Sequence, residues 1–342
     1  MSNPPTDTIS ELHFHPQGDF LAAASWDNAI RIYEFGFTSS TTVASQAKTE
    51  FKHEAPVMSC RWSNDGQWLA TAGGGDYAIR LWDVNTMSQL GSLPGHELSV
   101  RSVRWADEPG IGSAILASAS WDRSLKYWDL RQNPNAPIAT VQLLERAYAM
   151  DCRFPWIIVG TAERHIQWMD LRNPATCVKS IESPLKWQTR VISCFSQGPP
   201  GYAVGSIEGR CGITYINDKD AAANFSFKAH RKEETNKIGT NSEVYPVHSI
   251  AFHPVYGTFS TAGGDGAIIF WDKDAKQRLK QVVATDRPIT ASAFNRDGRI
   301  FAYATGYDWA RGSSGMPNLS SNTRLVAFSP LDEDIKSKPK KR

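Results

Sequence analysis

One pattern returns along almost the whole chain and constrains the fold more than anything else. It is a strand of small and β-branched residues, a turn on Gly or Asp, a second apolar strand, another turn, and a strand closing on an aromatic residue and Asp. The clearest copies are ISELHFHPQGDFLAAASWDNAIRIYE from Ile9, VMSCRWSNDGQWLATAGGGDYAIRLWD from Val57 and VRSVRWADEPGIGSAILASASWDRSLKYWD from Val100. Further copies begin at Met150 (MDCRFPWIIVGTAERHIQWMD), Val191 (VISCFSQGPPGYAVGSIEGRCGITYIN) and Val247 (VHSIAFHPVYGTFSTAGGDGAIIFWD). A worn seventh runs from Ile289 through ITASAFNRDGRIFAYAT to TRLVAFS. The closing positions Tyr33, Trp82, Trp128, Met169, Tyr215 and Trp271 recur at the spacing of four-stranded propeller blades, roughly 40 to 55 residues. Ile30 and Ile32, Ile79 and Leu81, and Leu125 and Tyr127 alternate with the period of sheets stacked face to face.

The Trp-Asp ending resembles the WD40 repeat, so the expected fold class is all-β, a seven-bladed WD40 β-propeller. It should fill residues 1–330 as a single domain, with residues 331–342 a disordered basic tail. Asp27, Asp76, Asp122 and Asp265 each stand six positions before a closing aromatic, and Gly95-His96 precedes the third copy. The WD resemblance implies a hydrogen-bonded chain of Asp, His, a strand Ser or Thr, and Trp that ties turns to strands. In the third copy these would be Asp122, His96, Ser118 or Ser120, and Trp128, with Asp76 and Asp265 the acids of other copies. Each orphaned group in such a buried chain costs roughly 1–3 kcal/mol, so these residues read as architecture. Two segments, PPTDT and SPLDED, are candidates for the strand that closes the ring.

Chemistry is hard to find. Gly73-Gly74-Gly75-Asp76 lacks the Gly-Lys-Ser/Thr end of a phosphate loop and leads into a strand, so it reads as a blade turn. His13 and His15 alternate on one strand face but no third ligand is placed nearby, and His15-Pro16 recurs as His253-Pro254. There is no Gly-x-Ser-x-Gly elbow and no His-Glu-x-x-His run. The expectation is a binding platform with no enzymatic activity, no metal, no cofactor and no small-molecule substrate. The rival is a hydrolase, and convergent carboxylates in the central channel would favour it.

The 342 residues are 41% hydrophobic and include 12 Trp, a composition that can bury a sizeable core. No basic-then-apolar leader opens the chain, and no apolar run reaches the eighteen or so residues of a membrane span, so no membrane partner is expected. Five scattered cysteines without a Cys-x-x-Cys pair suggest a reducing compartment; Cys60, Cys152 and Cys194 fall at equivalent repeat positions and read as small buried hydrophobes. The net charge of +2 is carried by the ending KSKPKKR: removing its five cations from the 37 basic residues leaves 32 against 35 acidic. Such a run reads equally as an import signal, a phosphate-seeking arm or a solvated terminus.

In a repeat scaffold, binding falls to residues that break the consensus. They are SIESPLKWQTR (180–190), GSIEGR (205–210), NFSFKAHRKEE (224–234), WDKDAKQRLK (271–280) and GYDWARG (306–312). With AFHPVYGTFST and FNRDGRIFAYATGYDW, these strings resemble the mRNA export factor family called Rae1 or Gle2 over nearly the whole chain. The checkpoint paralogue Bub3 shares elements like GSIEGR and LKxQTR, whereas WDKDAKQRLK, IESPLK and GYDW favour the export factor. The chain departs from the family in its short segment before the first repeat and in the loop SSGMPNLSSN.

The resemblance implies binding of a GLEBS segment, the short acidic element of an FG nucleoporin (Nup98-like) that wraps over one propeller face, at the nuclear pore, in the nucleus and also the cytoplasm. The peptide-binding residues it implies are Phe227, Trp271, Lys273, Lys276 and Arg278. Arg210, Lys228 and Lys280 are candidates for phosphate contact, with single-stranded RNA a second possible ligand. Cations around an exposed aromatic suit a peptide bearing paired glutamates. A Bub3-like adaptor for kinetochore kinases is the alternative.

Overall fold

The computed structural model describes residues 3–39, 42–108, 114–132, 135–236, 239–315 and 323–337. Its strands group into seven antiparallel blades, at residues 9–52, 57–93, 100–142, 147–182, 189–228, 247–284 and 289–328. Each blade runs in sequence order from an inner strand outward, as in Val57–Trp62, Trp68–Gly73, Ile79–Asp83 and Ser88–Leu93 of blade 2. Between blades 5 and 6 a hairpin of Arg231–Asn236 and Gly239–Val244 stands apart as its own two-stranded sheet.

The second and third strands of blades 1 to 6 are buried on both faces, because each blade is covered by a neighbour on either side. Ile30 and Ile32 are buried, but so is Arg31 between them. Seven apolar clusters fill the seven seams. Ile9, Leu21 and Tyr33 of blade 1 pack on Ala291, Ile300 and Leu325 of blade 7, so the ring closes through side chains. The other clusters join consecutive blades in order.

Neither candidate segment supplies a closing strand. Among the described residues blade 7 has three strands, Ile289–Phe294, Phe301–Thr305 and Arg324–Phe328. The segment before Ile9 is held by loop contacts: Thr6 N–H donates to Asp27 at 2.8 Å, and Thr8 Oγ1 donates to the Tyr307 carbonyl at 2.8 Å. The SPLDED region forms a short helix, Asp332–Ile335, packed on blade 6. Ile335 is buried in the seam between blades 6 and 7, and its carbonyl accepts from Thr258 Oγ1 at 2.6 Å. The start of the expected tail is thus docked on the propeller, by Ile335 in the seam together with the Lys280–Asp334 pair and the bond from the Tyr256 hydroxyl to Asp332. Residues 338–342 of the expected tail, and 316–322 of the divergent loop, lie outside the described residues.

His15 and His253 play the same part in blades 1 and 6. Each ring accepts through Nδ1 from backbone N–H groups of its own turn, Gln17 and Gly18 for one, Val255 and Tyr256 for the other. Each ring edge also abuts a glycine of the next blade, Gly66 (φ +76°) or Gly298 (φ +77°), where a Cβ would collide with the imidazole. His15 Nε2 sits 2.9 Å from the Gly66 carbonyl oxygen.

Candidate functional site

Every blade begins its inner strand, ends its second and starts its third at the same end of the ring, called here the upper end. The turn Asp residues of blades 1, 2, 3 and 6 lie there. In blade 3, His96 Nδ1 is 2.7 Å from Asp122 and Nε2 is 2.7 Å from Ser118 Oγ, which also accepts the Trp128 indole N–H at 2.8 Å. Ser118, not Ser120, is the link; Ser120 Oγ donates to the Leu98 and Ser99 carbonyls. Burial raises the Asp122 carboxyl, but bonds from His96, Ser124 and the Glu97 N–H outweigh it and hold the acid well below the usual range.

Blade 6 repeats this chain around the expected Asp265 and Trp271, with His230 and Thr261 as links the sequence pattern had not singled out: His230 lies 2.8 Å from Asp265 and 2.9 Å from Thr261 Oγ1, which accepts from Trp271 Nε1 at 2.9 Å. In blade 2, His53 Nε2 is 3.0 Å from Thr71 Oγ1, the acceptor for Trp82. Asp76 does not reach that His. Arg80 lies between them, 2.7 Å from His53 Nδ1 and 2.6 Å from Asp76. The signal for all three was one His before each blade, in FKHEAPV, LPGHELSV and FKAHRKE.

The implied peptide site divides. On the outer flank of blades 5 and 6, the strand Phe225–Lys228 faces Trp271 across the seam. Phe227 lies 4.4 Å from Trp271 and 5.8 Å from Phe225, ring centre to ring centre, and all three are partly exposed. Arg278 pairs directly across from Trp271, so both side chains leave the same face of the sheet. Lys276 Nζ stands 5.0 Å over the Phe225 ring. Its place is set by the turn: Asp272 accepts from the N–H groups of Asp274 and Ala275, and Lys276 takes a left-handed conformation (φ +54°) as Met87 does in blade 2.

Lys273 is not part of this surface. Its side chain is 2% exposed, lies over Phe195 at 5.0 Å and pairs with Asp274 at 2.7 Å. Blade 5 aromatics cover it, which the local sequence WDKDAK does not reveal. Lys228 is paired with Glu233 and Lys280 with Asp334, each at 2.5 Å. Arg210 pairs with Lys228 in the sheet register and donates to Ser226 at 3.2 Å, toward the upper end and away from the turn that carries Lys276. Among the described residues Lys276 and Arg278 are thus cations without an acidic partner beside an open aromatic floor. Phe225, two residues before Phe227 and so on the same strand face, belongs with them.

The channel carboxylates are neutralised. Glu11 meets Arg61 at 2.8 Å and Arg104 at 3.1 Å, and Asp151 meets Arg104 at 2.9 Å. Burial pushes Glu11 up, but the Arg104 and Arg61 cations and the Ser59 hydroxyl bring it down to about 2, so it stays ionised and makes no proton donor. Among the described residues no three His, Cys, Asp or Glu side chains are grouped to hold a metal. Burial raises the thiols of Cys60, Cys152, Cys194 and Cys211, which makes poor nucleophiles of them; Cys60 is fully buried, whereas Cys152 and Cys194 are only partly so.

Three linked His–Ser/Thr–Trp chains in a closed ring of seven blades define a WD-repeat β-propeller. The WD domain, G-beta repeat, matches residues 3–34, 45–83, 87–129 and 236–272, which leaves blades 4, 5 and 7 unmatched; blades 4 and 5 carry Glu163 and Gly209 where blades 1, 2, 3 and 6 carry the turn Asp. The chain is 47% identical to the Poly(A)+ RNA export protein of Schizosaccharomyces pombe, over 100% of this chain and 93% of that relative. It is 41% identical to mRNA export factor GLE2 of Chaetomium thermophilum, over 99% and 92%, and 41% to Protein Rae1 of Drosophila melanogaster, over 91% and 88%. The chain belongs to the Rae1/Gle2 mRNA export factor family.

Proposed function

We propose that this chain is a non-enzymatic adaptor for mRNA export that binds the acidic GLEBS segment of an FG nucleoporin at the nuclear pore. The flank of blades 5 and 6 carries the reading: Phe225, Phe227 and Trp271 form an apolar floor, and Lys276 and Arg278 border it with unspent positive charge. An extended peptide can set an apolar side chain on the floor and direct glutamates at the cations. Leu98, Leu144, Trp187 and Ile207, exposed between 36% and 59%, stand on the upper end and offer further anchors to a long segment. The names of the relatives, poly(A)+ RNA and mRNA export factors, supply the process.

Calorimetric titration with a nucleoporin GLEBS peptide and a checkpoint-kinase GLEBS peptide, at two salt concentrations, tests this. Tight binding of the nucleoporin peptide that weakens with salt is expected. Binding to neither peptide would overturn the adaptor reading, and preference for the kinase peptide would return the checkpoint alternative.

A further inference from the structure

Three of the segments that depart from the repeat, SIESPLKWQTR, GSIEGR and GYDWARG, converge on the upper end of the central channel. There Gln188 to Arg190, Ile207 and Tyr307 to Ala310 help line a cavity of about 480 Å³. It opens into a narrower space of about 290 Å³ farther down the channel, and Arg101, Arg190 and His248 border both.

Arg101, Arg146 and Arg190 meet at this mouth from blades 3, 4 and 5. The only side-chain bond Arg101 makes among the described residues is a long one to the Met58 carbonyl at 3.4 Å. Arg190 Nε donates to His248 Nδ1 at 3.3 Å, and the other ring nitrogen of His248 is 3.1 Å from Asp308. The acid nearest Arg190 is therefore committed to a histidine, and none of the three guanidiniums has an ion-pair partner among the described residues. Depth in the channel lowers Arg101 to about 10, and the Arg190 cation adds to the effect. Like charges brought together away from bulk water destabilise a fold unless an anion joins them. Trp121 and Trp309 line the same cavity, and each has a buried indole N–H with no acceptor among the described residues.

The geometry points to a binding site for a compact phosphate-bearing anion at the channel mouth, held by Arg101, Arg146 and Arg190. A planar carboxylate presents two oxygens, which one guanidinium satisfies; a phosphate presents more, directed tetrahedrally, and can meet donors arriving from three blades. The site is independent of the peptide flank, because the turn that carries Lys276 is at the opposite end of its blade.

The test uses the full chain, with pyrophosphate, inorganic phosphate and citrate titrated at constant ionic strength and followed by tryptophan fluorescence and calorimetry. Pyrophosphate should bind at least tenfold more tightly than citrate. Binding should weaken at least tenfold in Arg190→Gln and in Arg146→Gln, the latter at an exposed side chain where folding is not at risk. Arg278→Glu should leave it unchanged. Absence of pyrophosphate binding, citrate binding of equal strength, or full binding by Arg146→Gln and Arg190→Gln would each overturn the assignment.

Discussion

Blades 3 and 6 carry the same chain of Asp, His, Ser or Thr, and Trp, with nearly equal bond lengths, yet their tryptophans have different fates. Trp128 is 1% exposed, sealed in its seam with Leu93 and Leu130. Trp271 is partly open, because the neighbouring outer strand offers Phe225 and Phe227 to one side and Arg278 stands across from it. Identical internal chemistry thus yields a closed wall in one place and a binding floor in the other. What a WD blade displays is decided by the outer strand beside it, not by the motif that holds it together.

The comparison can be broken at its interior. Lys273→Glu should cost about 3 kcal/mol, since it removes a buried cation and sets a second negative charge beside Asp274; a melting temperature equal to wild type would mean that Lys273 is exposed after all. Asp122→Ala and Asp265→Ala should each cost roughly 1–3 kcal/mol, and by similar amounts, because the two chains are built alike. If urea denaturation shows one of them to be neutral, the equivalence of blades 3 and 6 fails.

Acid should loosen the third such chain. Burial, with the Arg80 cation beside it, lowers His53 to about 4, and burial lowers His253 to about 4. Both are neutral in the fold, whereas the unfolded chain takes up protons from the ordinary histidine value of 6.5 downward. Stability contributed by these groups is therefore complete above that value and declines as pH falls from 6.5 toward 4. The urea midpoint should drop over this window and drop less in His53→Asn; an unchanged midpoint would contradict the burial of these rings. The smallest effect sharpens the surface half of the comparison: Lys276→Gly relieves a left-handed backbone and should stabilise by about 1 kcal/mol while weakening peptide binding. Loss of stability there would show that the Lys276–Phe225 contact outweighs the strain.

The architecture was legible because the turn Asp and the closing aromatic recur six residues apart, whereas the His stands at a different distance in each blade and was read only at His96. Legibility failed where a neighbour remote in sequence decides the matter. Phe195 and Tyr215 cover Lys273, Asp334 of the terminal helix takes Lys280, and Glu233 of the inserted hairpin takes Lys228. Arg80, only four residues from Asp76, takes that carboxylate and itself reaches His53, so in blade 2 the acid meets the His through a guanidinium instead of directly. Arg101, Arg146 and Arg190 belong to different blades, and only closure of the ring gathers them.

The most direct test of the adaptor account is the affinity of the Lys276→Glu, Arg278→Glu double variant for the nucleoporin GLEBS peptide, measured beside its melting temperature. The account predicts binding weakened about a hundredfold, roughly 2.7 kcal/mol, with stability changed by no more than about 0.5 kcal/mol. Wild-type affinity in a stably folded double variant would contradict it.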